Sequence, residues 1–360
     1  MKRSLMHTVL ASTLTLTLPL SANCPAKTPY TLSVGSEPSS ICFSPDSSHA
    51  YIACEGSGTM VAVELETGAH CSIMAGSAPV DIVIAKNGQQ LYLANYDYNG
   101  TMTMVDTHTY HTQTVPVDSV PISLTLTHDG EFVYVANEEG SSVSVIDIAK
   151  HEVIKTLSFA SSPTYITASP TQDLIFVANY QNHTVAIIDT KNHTVINTIT
   201  VGRNPVFITL SQNGKMAFIA NAGDHTVSII DTHTFKTKSV RVGAYPISIA
   251  VSSDNKQAWV ANSNSNTLSV INTHTHQVRS IHVGSAPYSV KITPNDKQVF
   301  TTNSNGDTLS VIDTRTKKVI NTLPVGHYPR AVAISPDGKK LVIGNFSDNT
   351  ITVMSVSDTL

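Results

Sequence analysis

Beside eight prolines spaced 41 or 42 residues apart stand four charged side chains within two residues: Glu37 before Pro38, Asp81 after Pro79, Arg203 before Pro205, and Arg330 in the run His327-Tyr328-Pro329-Arg330. Elsewhere the same neighbourhood holds mostly small or apolar groups, so these are departures from a pattern. Aromatic residues join them at Tyr165, Phe207, Tyr245 and Tyr288, and further ones occur at Tyr96, Tyr98 and Tyr180. A few charges set among aromatic rings suit a small-molecule or peptide site. The Arg203 and Arg330 guanidinium forks would match a carboxylate or phosphate, because a planar donor pair fits a planar anion. The candidate ligand-binding set is therefore Glu37, Asp81, Tyr165, Arg203, Phe207, Tyr288, His327, Tyr328 and Arg330.

Other chemistry is poorly supported. No Ser-His-Asp arrangement rises above chance, and there is no Walker-type loop, zincin motif or Cys-x-x-Cys-His haem attachment. Glu37 and Asp81 form the one acidic pair worth considering for acid–base work. Histidine is abundant, with 15 copies. His108, His233 and His274 repeat one register in Asp/Asn-Thr-His-Thr runs, which reads as solvated turns. His183 and His225 lie in neighbouring loops without a third ligand at a zinc-like spacing. We expect neither a metal nor another cofactor. The four cysteines, Cys24, Cys42, Cys54 and Cys71, cluster at the front of the chain. In an oxidising compartment such a set suggests disulfides. Of the three connectivities, Cys42–Cys54 with Cys24–Cys71 is favoured by proximity in the expected hairpin, each bridge contributing roughly 2–4 kcal/mol.

These residues are positioned by a repeat. Pro38, Pro79, Pro121, Pro163, Pro205, Pro246, Pro287 and Pro329 are spaced by 41 or 42 residues. Sixteen residues after each comes Cys54, Asn95, Asn137, Asn179, Asn221, Asn262, Asn303 or Asn345. Within a unit, short runs rich in β-branched residues alternate with polar turns, as in Val206 to Leu210, Met216 to Asn221, Thr226 to Asp231 and Lys236 to Val242. Four strands per unit follow. Ser335-Pro336-Asp337-Gly338 supplies hairpin chemistry, with a preset proline φ and a glycine that accepts positive φ. Middle strands such as Leu174-Ile175-Phe176-Val177 are apolar on both faces, which requires cover on both sides. Eight such units predict an all-β, eight-bladed β-propeller of four-stranded antiparallel blades, with seven blades the alternative. The eighth unit ends at its third strand. Tyr30 to Gly35 resembles Asn321 to Gly326, so the N-terminal segment should close the last blade.

The runs Tyr134-Val135-Ala136-Asn137 and Phe176-Val177-Ala178-Asn179, with the flanking Val-Gly-x-x-Pro, Ser-Pro-Asp-Gly and Val-Ile-Asp-Thr elements, resemble the YVTN-family β-propeller repeat over about residues 30–356. The chain departs from it at Cys54, at Asp118 and Ala160 in place of glycine, and at Asn272. The resemblance implies an extracytoplasmic binding or surface module. Its wider relatives include lactonase-like enzymes and haem d1 propellers, functions that do not transfer with a fold. A structural envelope or surface protein is the further alternative.

The remaining sequence sets the compartment and the partners. Lys2 and Arg3 followed by an apolar stretch from Leu5 to Leu20 and Ser21-Ala22-Asn23 predict a signal peptide over residues 1–22, leaving 23–360 as a single propeller domain. The mature protein should be extracytoplasmic, periplasmic or secreted, with no membrane span after cleavage. The formal net charge is -4; removing Lys2 and Arg3 leaves 20 basic against 26 acidic residues, a net -6. With no basic excess, nucleic acid is not an expected partner. A protein or a small anionic ligand is, and the chain should be a monomer. At 41% hydrophobic and 13% charged residues it can bury a core.

Overall fold

The computed structural model describes residues 28–359. The leader expected over 1–22 and Cys24 lie outside the described residues. Among the described residues no helix is long and apolar enough to cross a membrane.

Eight four-stranded antiparallel sheets form a ring. Each is named a blade and numbered by its inner strand: Pro38–Phe43, Pro79–Ile84, Pro121–Leu126, Pro163–Ala168, Pro205–Leu210, Pro246–Val251, Pro287–Ile292 and Pro329–Ile334. Every repeat proline opens an inner strand, where its missing N–H costs no ladder bond. The count is eight, not seven. Tyr30–Ser33 pairs antiparallel with Thr350–Ser355 as the outer strand of blade eight, with Leu32 opposite Ile351.

Apolar clusters lie between blades, which explains the two-sided hydrophobic strands. At the seam, Phe43, Ile52, Cys54, Val61 and Val63 of blade one meet Ala333, Val342, Ile351 and Val353 of blade eight, with Tyr30, Leu32 and Val34 packed against them. The Tyr30 hydroxyl adds a hydrogen bond to the Leu65 carbonyl at 3.1 Å.

The fixed sixteen-residue offset has a local cause. Proline and asparagine are cross-strand partners, as in Pro205 opposite Asn221. The buried asparagine amide then reaches the third strand. Asn221 Nδ2 donates to Thr226 Oγ1 at 3.1 Å and Ser228 Oγ at 2.9 Å, and Asn303 repeats this with Thr308 and Ser310. A Cβ on Gly202 would fall 2.7 Å from the Asn221 amide, and Gly76, Gly243, Gly284 and Gly326 likewise leave room for the asparagines of their own blades. In blade three, where Asp118 replaces that glycine, its carboxylate accepts from Ser142 Oγ at 2.7 Å. The turns work as their sequence suggests: Asp231 Oδ1 accepts from the backbone N–H groups of His233 and Thr234.

The expected Cys42–Cys54 bridge is not formed; among the described residues Cys42, Cys54 and Cys71 carry no disulfide, and the expected Cys24–Cys71 pairing involves a residue outside them. Cys54 lies opposite Pro38 whereas Cys42 lies opposite Tyr51, so the two are offset along the hairpin. They also face different neighbours. Cys54 packs between blades eight and one, and Cys42 between blades one and two. Closeness in sequence did not bring their Cβ atoms within bridging reach.

Candidate functional site

The ladder register shifts immediately after the proline in all eight blades, for example between Pro79 and Asp81 and between Pro329 and Ala331. Such a bulge re-aims side chains. Here it turns both residues after each proline toward the axis, so that pairs such as Val80 and Asp81, Thr164 and Tyr165, Val206 and Phe207, and Arg330 and Ala331 line one cavity of about 920 Å³. This end of the ring also carries the loops that follow each repeat asparagine.

The cavity gathers Asp81, Tyr165, Phe207, Tyr288, Tyr328 and Arg330 from the sequence-derived set. Glu37, Arg203 and His327 are not among its lining. Glu37 sits in the loop before blade one, its backbone N–H bonded to Asn349 Oδ1 at 3.0 Å. Arg203 is ion-paired to Asp224 with its side chain 66% exposed; the guanidinium holds the Asp224 carboxyl below the usual range. His327 lies on the rim, bonded through Nδ1 to Asp307 Oδ2 at 2.8 Å, a contact that raises its pKa. Arg203 is thus engaged elsewhere, and Arg330 alone of the two arginines is offered to the cavity.

Arg330 is built into an aromatic niche. Its guanidinium carbon lies 3.7 Å from the ring centroid of Phe346, 5.2 Å from that of Tyr328 and 5.8 Å from that of Tyr288. Stacking of this kind holds the planar group by its face and leaves its edges for hydrogen bonding. Among the described residues no carboxylate pairs with it, and its buried Nε has no hydrogen-bond partner. Burial raises the Tyr288 pKa, with Arg330 opposing. Nearby, burial first and then Glu37 raise the pKa of Glu55, again against Arg330.

Asp81 has another task. Its Oδ1 accepts from Ser40 Oγ at 3.2 Å and the Ile82 N–H at 3.0 Å; its Oδ2 accepts from Ser123 Oγ and the Leu124 N–H, both at 3.1 Å. One carboxylate therefore ties the inner strands of blades one, two and three. Enclosure raises its pKa while the four hydrogen bonds pull it down. Tyr165 and Phe207, on blades four and five, form a tilted pair with centroids 4.6 Å apart. Four and three places round the ring from blade eight, they make the wall across from Arg330.

Sequence reasoning overlooked Phe346 and Lys291. Phe346 occupies the position after the repeat asparagine, the register of Tyr96 and Tyr180. Lys291, on the inner strand of blade seven, is one charge in a register that elsewhere holds Cys42, Val83, Thr125, Thr167, Thr209, Ala250 and Ala333. Its side chain is open to the lumen but surrounded by the ring, and this enclosure lowers its ammonium pKa, with Asp81 opposing.

The histidines have local roles. His108, His233 and His274 are exposed at turns. His183 Nδ1 accepts the Asn204 N–H at 3.2 Å and His225 Nδ1 accepts the Tyr245 N–H at 3.1 Å, each latching one blade's loop to the next. Asn266, Asp307 and Asn349 do the same to Ala286, Tyr328 and Glu37. No group of three metal-ligating side chains occurs among the described residues.

No curated protein matches the chain. Among solved structures it is similar to Kuenenia stuttgartiensis Hydrazine Synthase, with a TM-score of 0.64 and 21% identity over 78% of this chain and 96% of that one, a likeness of fold alone. The profile of the YNCE-like beta-propeller family matches residues 26–215 and 244–358. The repeat, the eight closed blades and this match together make the chain a member of the YNCE-like beta-propeller family.

Proposed function

We propose that the protein is an exported binding module that takes a small anionic ligand at the mouth of its central channel, with Arg330 as the anchor. The observation that carries this reading is the Arg330 guanidinium itself, stacked 3.7 Å from the Phe346 centroid, unpaired, with a buried Nε lacking a partner. A half-buried guanidinium held in one orientation gains most from a planar anion that supplies the missing acceptors. The Tyr165 and Phe207 wall offers apolar surface for the rest of such a ligand. Binding rather than catalysis is favoured because Asp81, the one carboxylate in the lining, already holds three blades together.

The test is a calorimetric titration with hexanoate, a monocarboxylate with a short apolar body. Arg330→Met should weaken binding at least about ten-fold, on the order of 1.5 kcal/mol for a charge-assisted hydrogen bond. Melting temperature serves as the check on folding. Equal binding by the variant, or none by the parent, refutes the reading. Export is tested separately: N-terminal sequencing from the extracytoplasmic fraction should begin at Asn23, and a cytoplasmic chain that retains its leader contradicts it.

A further inference from the structure

The lumen holds two cations that the ring leaves unpaired. Of its lining residues, three are charged: Asp81, Lys291 and Arg330. The Asp81 carboxylate accepts four hydrogen bonds from neighbouring blades, and no ion pair joins it to Lys291. Among the described residues neither the Lys291 ammonium nor the Arg330 guanidinium has an acidic partner. The lining thus carries a net positive charge inside a chain whose formal charge is -4. Lys291 is exposed to the lumen and Arg330 partly so, which leaves both charges open to an anionic ligand.

The two cations lie on adjacent blades at different depths. Arg330 shares the level of Tyr288, whose ring centroid is 5.8 Å from its guanidinium carbon. Tyr288 and Lys291 belong to the same inner strand, three residues apart, and both face the lumen. At the rise of an extended strand, shortened by the bulge, their depths differ by no more than roughly 10 Å. A short molecule with an anionic group at each end can meet both charges at once.

We propose that the lumen takes a small linear dicarboxylate lengthwise, one carboxylate on the Arg330 guanidinium at the mouth and the other on the Lys291 ammonium deeper in. This rests on Arg330 being the anion anchor and adds the second contact and the ligand class. Arg330, held by its face on Phe346, presents an edge to one carboxylate. Lys291, on a flexible stem in a wet lumen, adapts to the other and selects for length.

The experiment titrates the full protein with succinate, adipate and suberate, and with hexanoate as the single-anion control. In the parent, at least one dicarboxylate binds ten-fold or more tightly than hexanoate, with an optimum in the series. Lys291→Met removes that preference and leaves hexanoate binding within two-fold. Arg330→Met weakens both classes. The inference is overturned if no dicarboxylate exceeds hexanoate in the parent, or if Lys291→Met keeps the preference; in both cases an intact Arg330 effect on hexanoate leaves the anion anchor standing. If the Lys291→Met variant loses hexanoate binding too, Lys291 supports the wall and not a second anion, which also overturns it.

Discussion

Asp81 shows how a residue that sequence patterning marks as a ligand group can serve the frame instead. Its two oxygens satisfy donors on the inner strands of blades one, two and three. Asp81→Ala should destabilise the ring by about 2–3 kcal/mol, since buried backbone and hydroxyl donors lose their acceptor; denaturant unfolding checks it, and an unchanged midpoint would remove the tie from the account. The cavity was partly legible beforehand. Prolines at constant spacing drew attention to their neighbours, and the bulge after each proline sends those neighbours inward. What the sequence did not display was pairing at the rim, where Asp224 engages Arg203 across a loop. Phe346 and Lys291 were overlooked because neither touches a proline; alignment of the eight units by strand register isolates both. The cysteines misled for a related reason, since proximity along a hairpin carries no information about which blade face each side chain occupies.

At the scale of elements, the strand Tyr30–Ser33 does more than extend a sheet. It pairs four residues with the outer side of Thr350–Ser355 and sets Tyr30 and Leu32 against the seam between blades eight and one. Removing residues 28–34 should cost on the order of 3–6 kcal/mol from lost apolar burial and ladder bonds. A melting temperature equal to that of the untruncated chain would show that the seam holds without this strand. The closing role was readable because the last unit lacks a fourth strand while the front of the chain repeats its sequence; antiparallel pairing into a ring leaves little other place for it. The turns between strands bring a pH dependence. Ten aspartates at loops and strand ends accept backbone or side-chain hydrogen bonds that hold their pKa values below the ordinary aspartate value, Asp46 at about 2. A depressed carboxyl pKa contributes stability above the unfolded value, near 4, and that contribution disappears as pH falls through the folded values. The groups are mostly exposed, so each contribution is small. The melting temperature should therefore hold down to about pH 4 and decline gradually toward about pH 2. Calorimetry across that window decides, and a rise on acidification would mean that relief of the raised carboxyls Asp81, Glu55 and Glu138 prevails.

For the whole molecule, the ring divides labour between interior and axis. The blade interfaces are filled with near-identical apolar residues, and variation concentrates where the inner strands meet the lumen. Blades seven and eight supply the cations and blades four and five the rings, so the site exists only when distant quarters of the chain meet. The joint between first and last blades also fixes an order of events. The strand Tyr30–Ser33 has no sheet partner until Thr350–Ser355 has been synthesised, since Leu32 waits for Ile351. Until then blade eight lacks its outer strand, and the ring closes late and in a single step.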